Sequence, residues 1–194
     1  FKKLRQICNV NNSLLIFDEV QSGVGRTGKL WGYENLGIEP DGFTLAKGLG
    51  GGHAIGALLV NTKANIFVPG DHASTFGGNP FACMAALTVL EEIKRRNLLN
   101  NVLLRSKELE EGLIKITNQF PKIIHGVRGI GLLQGLVLKN EKINSKMVTL
   151  KAFEKGLLVV PAGENVVRIV PPLTISKNEI KQILKKLFST FQEF

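Results

Sequence analysis

An aspartate and a lysine each stand at the end of a short apolar segment that we predict to be a β-strand. Asp18 follows Leu14-Leu15-Ile16-Phe17, and Lys47 follows Phe43-Thr44-Leu45-Ala46. The carboxyl ends of neighbouring strands in an α/β sheet meet at one edge, and ligands bind there. The pattern therefore predicts that both side chains face one ligand, whereas either residue alone would more often be a solvated surface charge.

Pyridoxal phosphate is a cofactor whose requirements match this pair of residues. It requires a lysine for a Schiff base, a carboxylate that keeps its pyridine nitrogen protonated, and donors that hold its phosphate. Gln21, which lies just beyond Asp18, is expected to reach the phenolic oxygen of the ring. Glycines at positions 48, 50, 51 and 52 are predicted to leave room for the ligand beside Lys47.

The glycine-rich segment between the two strands also fits two other binding motifs. Gly23, Gly25 and Gly28 fit the dinucleotide pattern G-x-G-x-x-G, and residues 23–29 fit most of a P-loop, with residues 15–19 as a possible Walker B strand. The P-loop is disfavoured because Leu30 stands where a magnesium-binding hydroxyl is needed. Both motifs also require a long helix after the loop, whereas residues 31–37 allow only a short one. A structural loop that holds no phosphate is the favoured interpretation.

Composition and charge argue against several classes of function. The 25 basic and 16 acidic residues give a net charge of +9, but the lysines are scattered and no basic stretch alternates with aromatic residues, so we predict no nucleic-acid partner. No apolar run approaches the roughly 18 residues that cross a bilayer, so we predict no membrane association. His53, His72 and His125 lack partners at metal-ligand spacing. Cys8 and Cys83 form no metal or redox motif, which fits a reducing, cytoplasmic compartment.

The hydrophobic pattern predicts an α/β fold in two parts. Residues 14–17 are expected to form a strand buried on both faces of a mostly parallel sheet, because the run is continuously apolar. Asn79 and Ser176 are predicted to begin helices, the second with Glu179 as a capping box. We assign residues 1–95 to part of a cofactor-binding domain, and residues 96–194 to a connecting helix and a smaller α+β domain. The remaining predicted elements are helices over 1–8, 98–119 and 145–155 and strands over 54–60, 123–138, 157–160 and 166–170.

Four segments carry a resemblance to a known family. They are Leu15-Ile16-Phe17-Asp18-Glu19-Val20-Gln21-Ser22-Gly23-Val24-Gly25-Arg26-Thr27-Gly28, Thr44-Leu45-Ala46-Lys47-Gly48-Leu49-Gly50-Gly51-Gly52, Ser74-Thr75-Phe76-Gly77-Gly78-Asn79-Pro80 and Val167-Arg168-Ile169-Val170-Pro171-Pro172-Leu173. Together they resemble the class III, fold-type I aminotransferases, and the resemblance extends from near Leu4 to the final helix. It implies that the chain is the C-terminal part of the fold-type I large domain followed by the small domain.

The resemblance implies a role for each of the cofactor-binding residues. Lys47 would carry pyridoxal phosphate as a Schiff base and move the proton between the substrate and the cofactor. Asp18 would pair with the pyridinium and Gln21 would contact the phenolic oxygen, with Glu19 and Val20 between them in the same cofactor-binding segment. Thr75 would bind the cofactor phosphate across the interface of a homodimer.

The resemblance also implies a substrate and a reaction. Ser74 would lie near the substrate, and Arg168 would clamp its α-carboxylate. Within the class, Gly50-Gly51-Gly52 and Ile55-Gly56-Ala57 are most similar to the acetylornithine aminotransferases. The expected reaction is ping-pong transfer of an amino group from N-acetylornithine, or a related ω-amino donor, to 2-oxoglutarate in arginine biosynthesis. Ornithine, succinyldiaminopimelate and 4-aminobutyrate aminotransferases are the alternatives.

Members of this class are about twice as long as this chain. Their first half supplies a phosphate-binding loop, an aromatic ring on the pyridine and an arginine for the far end of the substrate. We therefore expect a C-terminal half that begins inside a helix, is inactive alone, and associates or is poorly soluble because its sheet has an exposed apolar edge. A separate chain that completes it, or a catalytically silent interaction module, are the alternatives.

Overall fold

The computed structural model describes residues 1–139 and 142–194, which form two compact units, Phe1–Leu99 and Asn100–Phe194. The elements of the first unit are α1 (Lys2–Val10), β1 (Ile16–Asp18), β2 (Gly42–Leu45), β3 (Ala57–Val60) and α2 (Pro80–Arg95), with 3-10 turns at Gly32–Leu36 and Lys47–Gly50. The predicted assignment of residues 1–95 to a cofactor-binding domain and of residues 96–194 to a small domain stays a prediction.

The first unit contains a three-stranded mixed sheet in the order β1-β2-β3. β1 and β2 are parallel, and β2 and β3 are antiparallel. β2 is the central strand, and its residues Gly42, Phe43 and Leu45 are buried. The prediction that residues 14–17 are buried on both faces is wrong: Ile16 is 51% exposed. Within residues 1–139 and 142–194, β1 is the edge strand of its sheet, so its outer side is uncovered and Leu14 is also 40% exposed.

Asp41 accepts hydrogen bonds from three segments that meet at the beginning of this sheet. Its Oδ2 accepts hydrogen bonds from Arg5 Nη1 of α1 at 2.7 Å and from the Leu15 N–H at 2.8 Å, and its Oδ1 accepts one from Asn61 Nδ2 at 3.2 Å. These bonds lower the pKa of Asp41 to about 2, with the Leu15 and Arg5 donors as the largest causes. One buried carboxylate therefore connects α1 with the start of β1 and the end of β3.

Helix α2 begins as the sequence predicts. The side chain of Asn79 accepts a hydrogen bond from the Ala82 N–H at 3.0 Å, and Pro80 occupies the first turn. A proline is tolerated there because the first amides of a helix have no intrahelical acceptor. Asn79 therefore defines the N-terminus of α2, which directly follows the segment formed by residues 61–78.

The second unit is an antiparallel sheet with a helical layer. Its elements are α3 (Leu98–Gln119, of which the first two residues belong to the first unit), β4 (Ile124–Ile130), β5 (Leu133–Leu138), α4 (Ser145–Glu154), β6 (Val160–Pro161), β7 (Val166–Ile169) and α5 (Lys177–Phe191). The strand order is β4-β5-β7-β6. Leu109, Leu136 and Leu187 are fully buried in one core cluster. The predicted capping box of α5 is present, because the side chains of Ser176 and Glu179 each accept a hydrogen bond from the other's N–H. In the described parts of the chain, no helix has the length and apolar character needed to cross a membrane.

Candidate functional site

Asp18 lies where β1 and β2 end side by side. It is the last residue of β1 and is paired in register with Thr44 of the parallel strand β2. Its Oδ1 accepts a hydrogen bond from the Val20 N–H at 3.0 Å and one from Thr44 Oγ1 at 3.3 Å. These two donors fix the carboxylate at the sheet edge. Asp18 is exposed there, so the carboxylate is accessible to a ligand.

Lys47 follows β2 and begins the 3-10 turn Lys47–Gly50. It has a backbone φ of +44°, in the left-handed region that side-chain-bearing residues rarely adopt. Such a conformation costs on the order of 1–3 kcal/mol and persists only where the surrounding structure enforces it, which is commonly at a functional site. Because β1 and β2 are parallel neighbours, the strand ends that carry Asp18 and Lys47 lie at the same edge of the sheet, as the sequence predicts.

Some of the glycines after Lys47 pack closely against neighbouring side chains, and one of them borders open space. A Cβ on Gly50 would lie 2.9 Å from Ile55 Cγ2, and one on Gly51 would lie 2.9 Å from Val89 Cγ2 of α2. Gly52, in contrast, has nothing within 4 Å of a Cβ position. The expectation that these glycines leave room for a ligand stays a prediction, and close packing independently requires glycine at positions 50 and 51.

Glu19 and Gln21 belong to the predicted cofactor-binding segment but lie in different environments. Glu19 is 3% exposed, and its carboxylate accepts hydrogen bonds from the Gly32 and Tyr33 N–H groups, both at 2.6 Å. Gln21 is exposed, and Val20 is half-buried. Glu19 is thus held inside the protein by backbone amides, whereas Gln21 lies at the surface on the same segment as Asp18.

Ser74 and Thr75 lie in an exposed turn that precedes α2. Ser74 Oγ accepts a hydrogen bond from the Gly77 N–H at 2.9 Å, and Asn79 Nδ2 donates one to the Phe76 carbonyl at 2.9 Å. Thr75 is exposed within this turn. Its main chain is therefore ordered by local hydrogen bonds while its hydroxyl remains accessible.

Arg168 lies in the second unit, on β7. Its register partners are Gly135 on β5 and Val160 on β6. It is half-buried, while its neighbours Val167 and Ile169 are buried on the opposite face of the strand. Arg168 is therefore on the face of the sheet that points away from the core cluster.

The sequence interpretation did not single out Thr44 or the carboxylate of Glu19 as parts of the site's framework. Thr44 belongs to the same motif as Lys47, and a hydroxyl residue three positions before the lysine was the available signal. For Glu19 no local signal existed, because its partners Gly32 and Tyr33 are distant in sequence. As for metals, residues 1–139 and 142–194 contain no cluster of three or more histidine, cysteine or acidic side chains that could hold an ion.

Comparison of the sequence with known proteins identifies relatives along its whole length. The sequence model of one family, described as aminotransferase class-III, matches residues 1–191. The chain is 73% identical over 193 residues to an acetylornithine aminotransferase of Prochlorococcus marinus subsp. pastoris and 59% identical over 194 residues to one of Parasynechococcus marenigrum. Each match covers 100% of this chain and 46% of the relative. The chain thus spans about half the length of the relatives it matches.

Solved structures agree with this result. The N-acetylornithine aminotransferase of Stenotrophomonas maltophilia superposes with a TM-score of 0.88 at 36% identity, over 100% of this chain and 50% of that one. The ornithine aminotransferase of Toxoplasma gondii, in a structure whose active site is partly occupied by pyridoxal phosphate, superposes with a TM-score of 0.92 at 30% identity, over 99% of this chain and 46% of that one. The predicted fold class is confirmed.

Proposed function

We propose that this chain, which belongs to the class-III aminotransferase family, supplies the lysine and the carboxylate that bind pyridoxal phosphate in an acetylornithine aminotransferase. The observation that carries this proposal is the placement of Asp18 and Lys47 at adjacent ends of two parallel strands. The 73% identity to an acetylornithine aminotransferase supports the choice of amino donor.

The residues of the first unit suit this cofactor. Val20 and Thr44 donate to Oδ1 of Asp18, and both contacts orient the carboxylate, which leaves Oδ2 to accept a hydrogen bond from a protonated ring nitrogen. Gln21 follows on the same segment and would contact the phenolic oxygen. Glu19 and Val20 complete the segment, and Val20 contributes its backbone amide to Asp18.

Each side chain then has a defined task in the reaction. When bound, pyridoxal phosphate supplies a ring that withdraws the electrons left on the substrate carbon as its proton departs. Lys47 would hold the cofactor through its Nζ, and its amine would act as the base that accepts the proton from the substrate Cα. Asp18 keeps the ring nitrogen protonated. Arg168 binds the substrate α-carboxylate through two parallel hydrogen bonds, and Ser74 lies near the substrate.

The overall reaction is transfer of an amino group from N-acetylornithine to 2-oxoglutarate by a ping-pong mechanism, in the biosynthesis of arginine. We place it in the cytoplasm, because Cys8 and Cys83 are free thiols and suit a reducing compartment. Ornithine and related ω-amino donors are the competing substrates, since ornithine aminotransferases are among the structural relatives.

A homodimer in which Thr75 binds the cofactor phosphate of the partner subunit completes the proposal. The surface around Thr75 supports association because it is rich in exposed apolar side chains. Phe76, Phe81 and Met84 are 81%, 70% and 59% exposed. Exposed apolar patches of this kind mark protein–protein contacts.

Covalent trapping tests the assignment of Lys47 in a completed enzyme, a chimera in which this chain is joined to the part of the Prochlorococcus relative that it does not match. The chimera is incubated with pyridoxal phosphate, reduced with borohydride and digested, and the modified lysines are identified by mass spectrometry. Lys47 is expected to be modified in preference to surface lysines such as Lys63, and the Asp18→Asn variant is expected to lower modification at Lys47 without changing it at Lys63. Equal modification of Lys47 and Lys63 would reject the cofactor assignment.

The amino donor is identified with the same chimera of this chain and the Prochlorococcus relative, because activity has to be measured on a complete enzyme. N-Acetylornithine is expected to be the best donor with 2-oxoglutarate when compared with ornithine, succinyldiaminopimelate and 4-aminobutyrate. A higher kcat/KM with any of the other three would replace the proposed substrate.

A further inference from the structure

Glu19 has a buried carboxylate whose two oxygens are both engaged by the protein backbone. Oε2 accepts from the Gly32 N–H and Oε1 from the Tyr33 N–H, each at 2.6 Å, and the residue is 3% exposed. A buried carboxylate is tolerated only when hydrogen bonds replace its lost hydration. Glu19 therefore anchors the end of the segment formed by residues 22–33, here called the 22–33 loop.

The beginning of the same loop also packs directly on Glu19. The Gly23 N–H donates to the Glu19 carbonyl at 2.9 Å, and a Cβ on Gly23 would lie 2.9 Å from that carbonyl oxygen. A Cβ on Gly32 would lie 2.9 Å from Glu19 Oε2 and 3.0 Å from Oε1. Side chains larger than hydrogen are excluded at both points, so the loop closes tightly around Glu19.

The loop in turn contacts the residues on both sides of Lys47. A Cβ on Gly23 would lie 2.9 Å from Leu45 Cδ2, and a Cβ on Gly48 would lie 3.7 Å from Val24 Cβ. Val24 is 5% exposed and has a φ of +54°, which is a strained conformation for a β-branched residue. Lys47 has a φ of +44° between these two contacts. Val24, a strained residue of the loop, thus lies close to Gly48, which follows the strained Lys47 in the chain.

We propose that Glu19 is a positioning residue for Lys47. Its carboxylate holds the Gly32–Tyr33 end of the 22–33 loop and its main-chain carbonyl holds the Gly23 end, so that Val24 is kept against the turn that begins at Lys47 and the left-handed backbone there is maintained. The proposal rests on the proposed function, since it is the Schiff-base role of Lys47 that gives the strained turn a purpose. Glu19 acts through the loop, because both of its carboxylate oxygens are engaged by the Gly32 and Tyr33 amides.

The test compares two glutamates that accept hydrogen bonds from the same loop. In Glu19→Gln the side chain retains one acceptor oxygen, so one of the two amides, Gly32 or Tyr33, loses its partner. Glu34→Gln is the matched control, because Glu34 Oε2 accepts from the Trp31 N–H at 2.8 Å from an exposed position. Both variants remove one negative charge, but Glu34→Gln keeps an acceptor oxygen for the single hydrogen bond of Glu34, whereas Glu19→Gln loses one of two.

Amide hydrogen exchange provides a readout that does not depend on the cofactor. The Leu49 N–H donates to the Ala46 carbonyl at 2.9 Å, and the Gly51 N–H donates to the Gly48 carbonyl at 3.2 Å, so both amides report on the turn after Lys47. In Glu19→Gln they are expected to exchange about tenfold faster, since losing a charge-assisted hydrogen bond shifts a local opening equilibrium by about that factor. In Glu34→Gln they are expected to exchange at the wild-type rate.

Covalent trapping of pyridoxal phosphate at Lys47 is the second readout. Glu19→Gln is expected to reduce trapping at Lys47 relative to Lys63, and Glu19→Asp, which keeps the charge, is expected to restore part of it. If Glu19→Gln does not fold, Gly32→Ala takes its place, because the added methyl group displaces the loop from Glu19.

Two outcomes would overturn the proposal. One is faster exchange at Gly32 and Tyr33 in Glu19→Gln with wild-type exchange at Leu49 and Gly51. The other is trapping at Lys47 equal to that of Glu34→Gln. Failure of the chimera with the wild-type sequence of this chain to trap the cofactor at Lys47 would reject the proposed function alone, and hydrogen exchange would still decide the role of Glu19.

Discussion

Replacing Asp41 with asparagine is expected to destabilise the first unit by about 3 kcal/mol at neutral pH. Asp41 is buried, and it accepts hydrogen bonds from Arg5, Leu15 and Asn61. Asparagine offers one acceptor oxygen and no charge. The Arg5 side chain, which is only 15% exposed, would therefore be left without its counter-charge.

The magnitude follows from the pKa of Asp41. The hydrogen bonds from Leu15 and Arg5 lower it from 3.8 to about 2. At 1.36 kcal/mol for each pH unit, this difference corresponds to about 2.5 kcal/mol of folding stability. Removing one partner of a buried ion pair costs about 3–5 kcal/mol. Together with the value from the pKa, this gives an expected loss of about 3 kcal/mol.

The same pKa sets the pH range of the effect. A carboxyl group whose pKa is lowered by folding contributes stability that is fully present above its unfolded pKa, here 3.8. That contribution is lost as the pH falls through the folded pKa of about 2. The stability difference between the wild type and Asp41→Asn is therefore expected to be constant above about pH 5 and to narrow as the pH approaches 2.

Urea unfolding followed by tryptophan fluorescence measures this difference in the first unit. Trp31 is the only tryptophan of the chain, and its ring centroid lies 5.3 Å from that of Phe43 on β2. Asp71→Asn is the matched control, since Asp71 is exposed and accepts one hydrogen bond, from the Val68 N–H at 2.9 Å. A loss below about 1 kcal/mol for Asp41→Asn, or the same loss at pH 7 and pH 2.5, would refute the reasoning.

Two further changes are expected to destabilise the second unit, and far-UV circular dichroism during urea unfolding measures both. Ser176→Ala removes the side chain that caps α5 and should cost about 1 kcal/mol, whereas Ser106→Ala, in an exposed position within α3, should have little effect. Leu187→Ala should cost about 2–5 kcal/mol because the side chain is fully buried, and an unchanged unfolding midpoint would contradict its place in the core.

Helix boundaries were predictable because they depend on residues close together in the chain. Asn79 and Ser176 accept hydrogen bonds from amides within the first turn of the helix that each begins. Such caps require only a suitable side chain at the right position. The placement of Asp18 and Lys47 at strand ends was predictable for a similar reason, since each apolar run is followed directly by the polar residue.

The contacts of the loops were not predictable in this way. The close packing of Gly50 against Ile55 and of Gly51 against Val89 was not predicted from the sequence. Residues 14–17 were expected to be buried on both faces, but β1 lies at the edge of its sheet. In each case the outcome depends on which segments pack together, and composition and periodicity do not specify this.

The sequence by itself determined the family of this protein, because the segments around Asp18 and Lys47 carry the resemblance to the class III aminotransferases that the family match over residues 1–191 confirms. Only the tertiary structure decided how the lysine is held. The left-handed backbone of Lys47 and the burial of Glu19 depend on amides at Gly32 and Tyr33 and on the packing of Val24. These contacts join residues that are far apart in sequence, so they form only when the chain folds and cannot be deduced from any local segment.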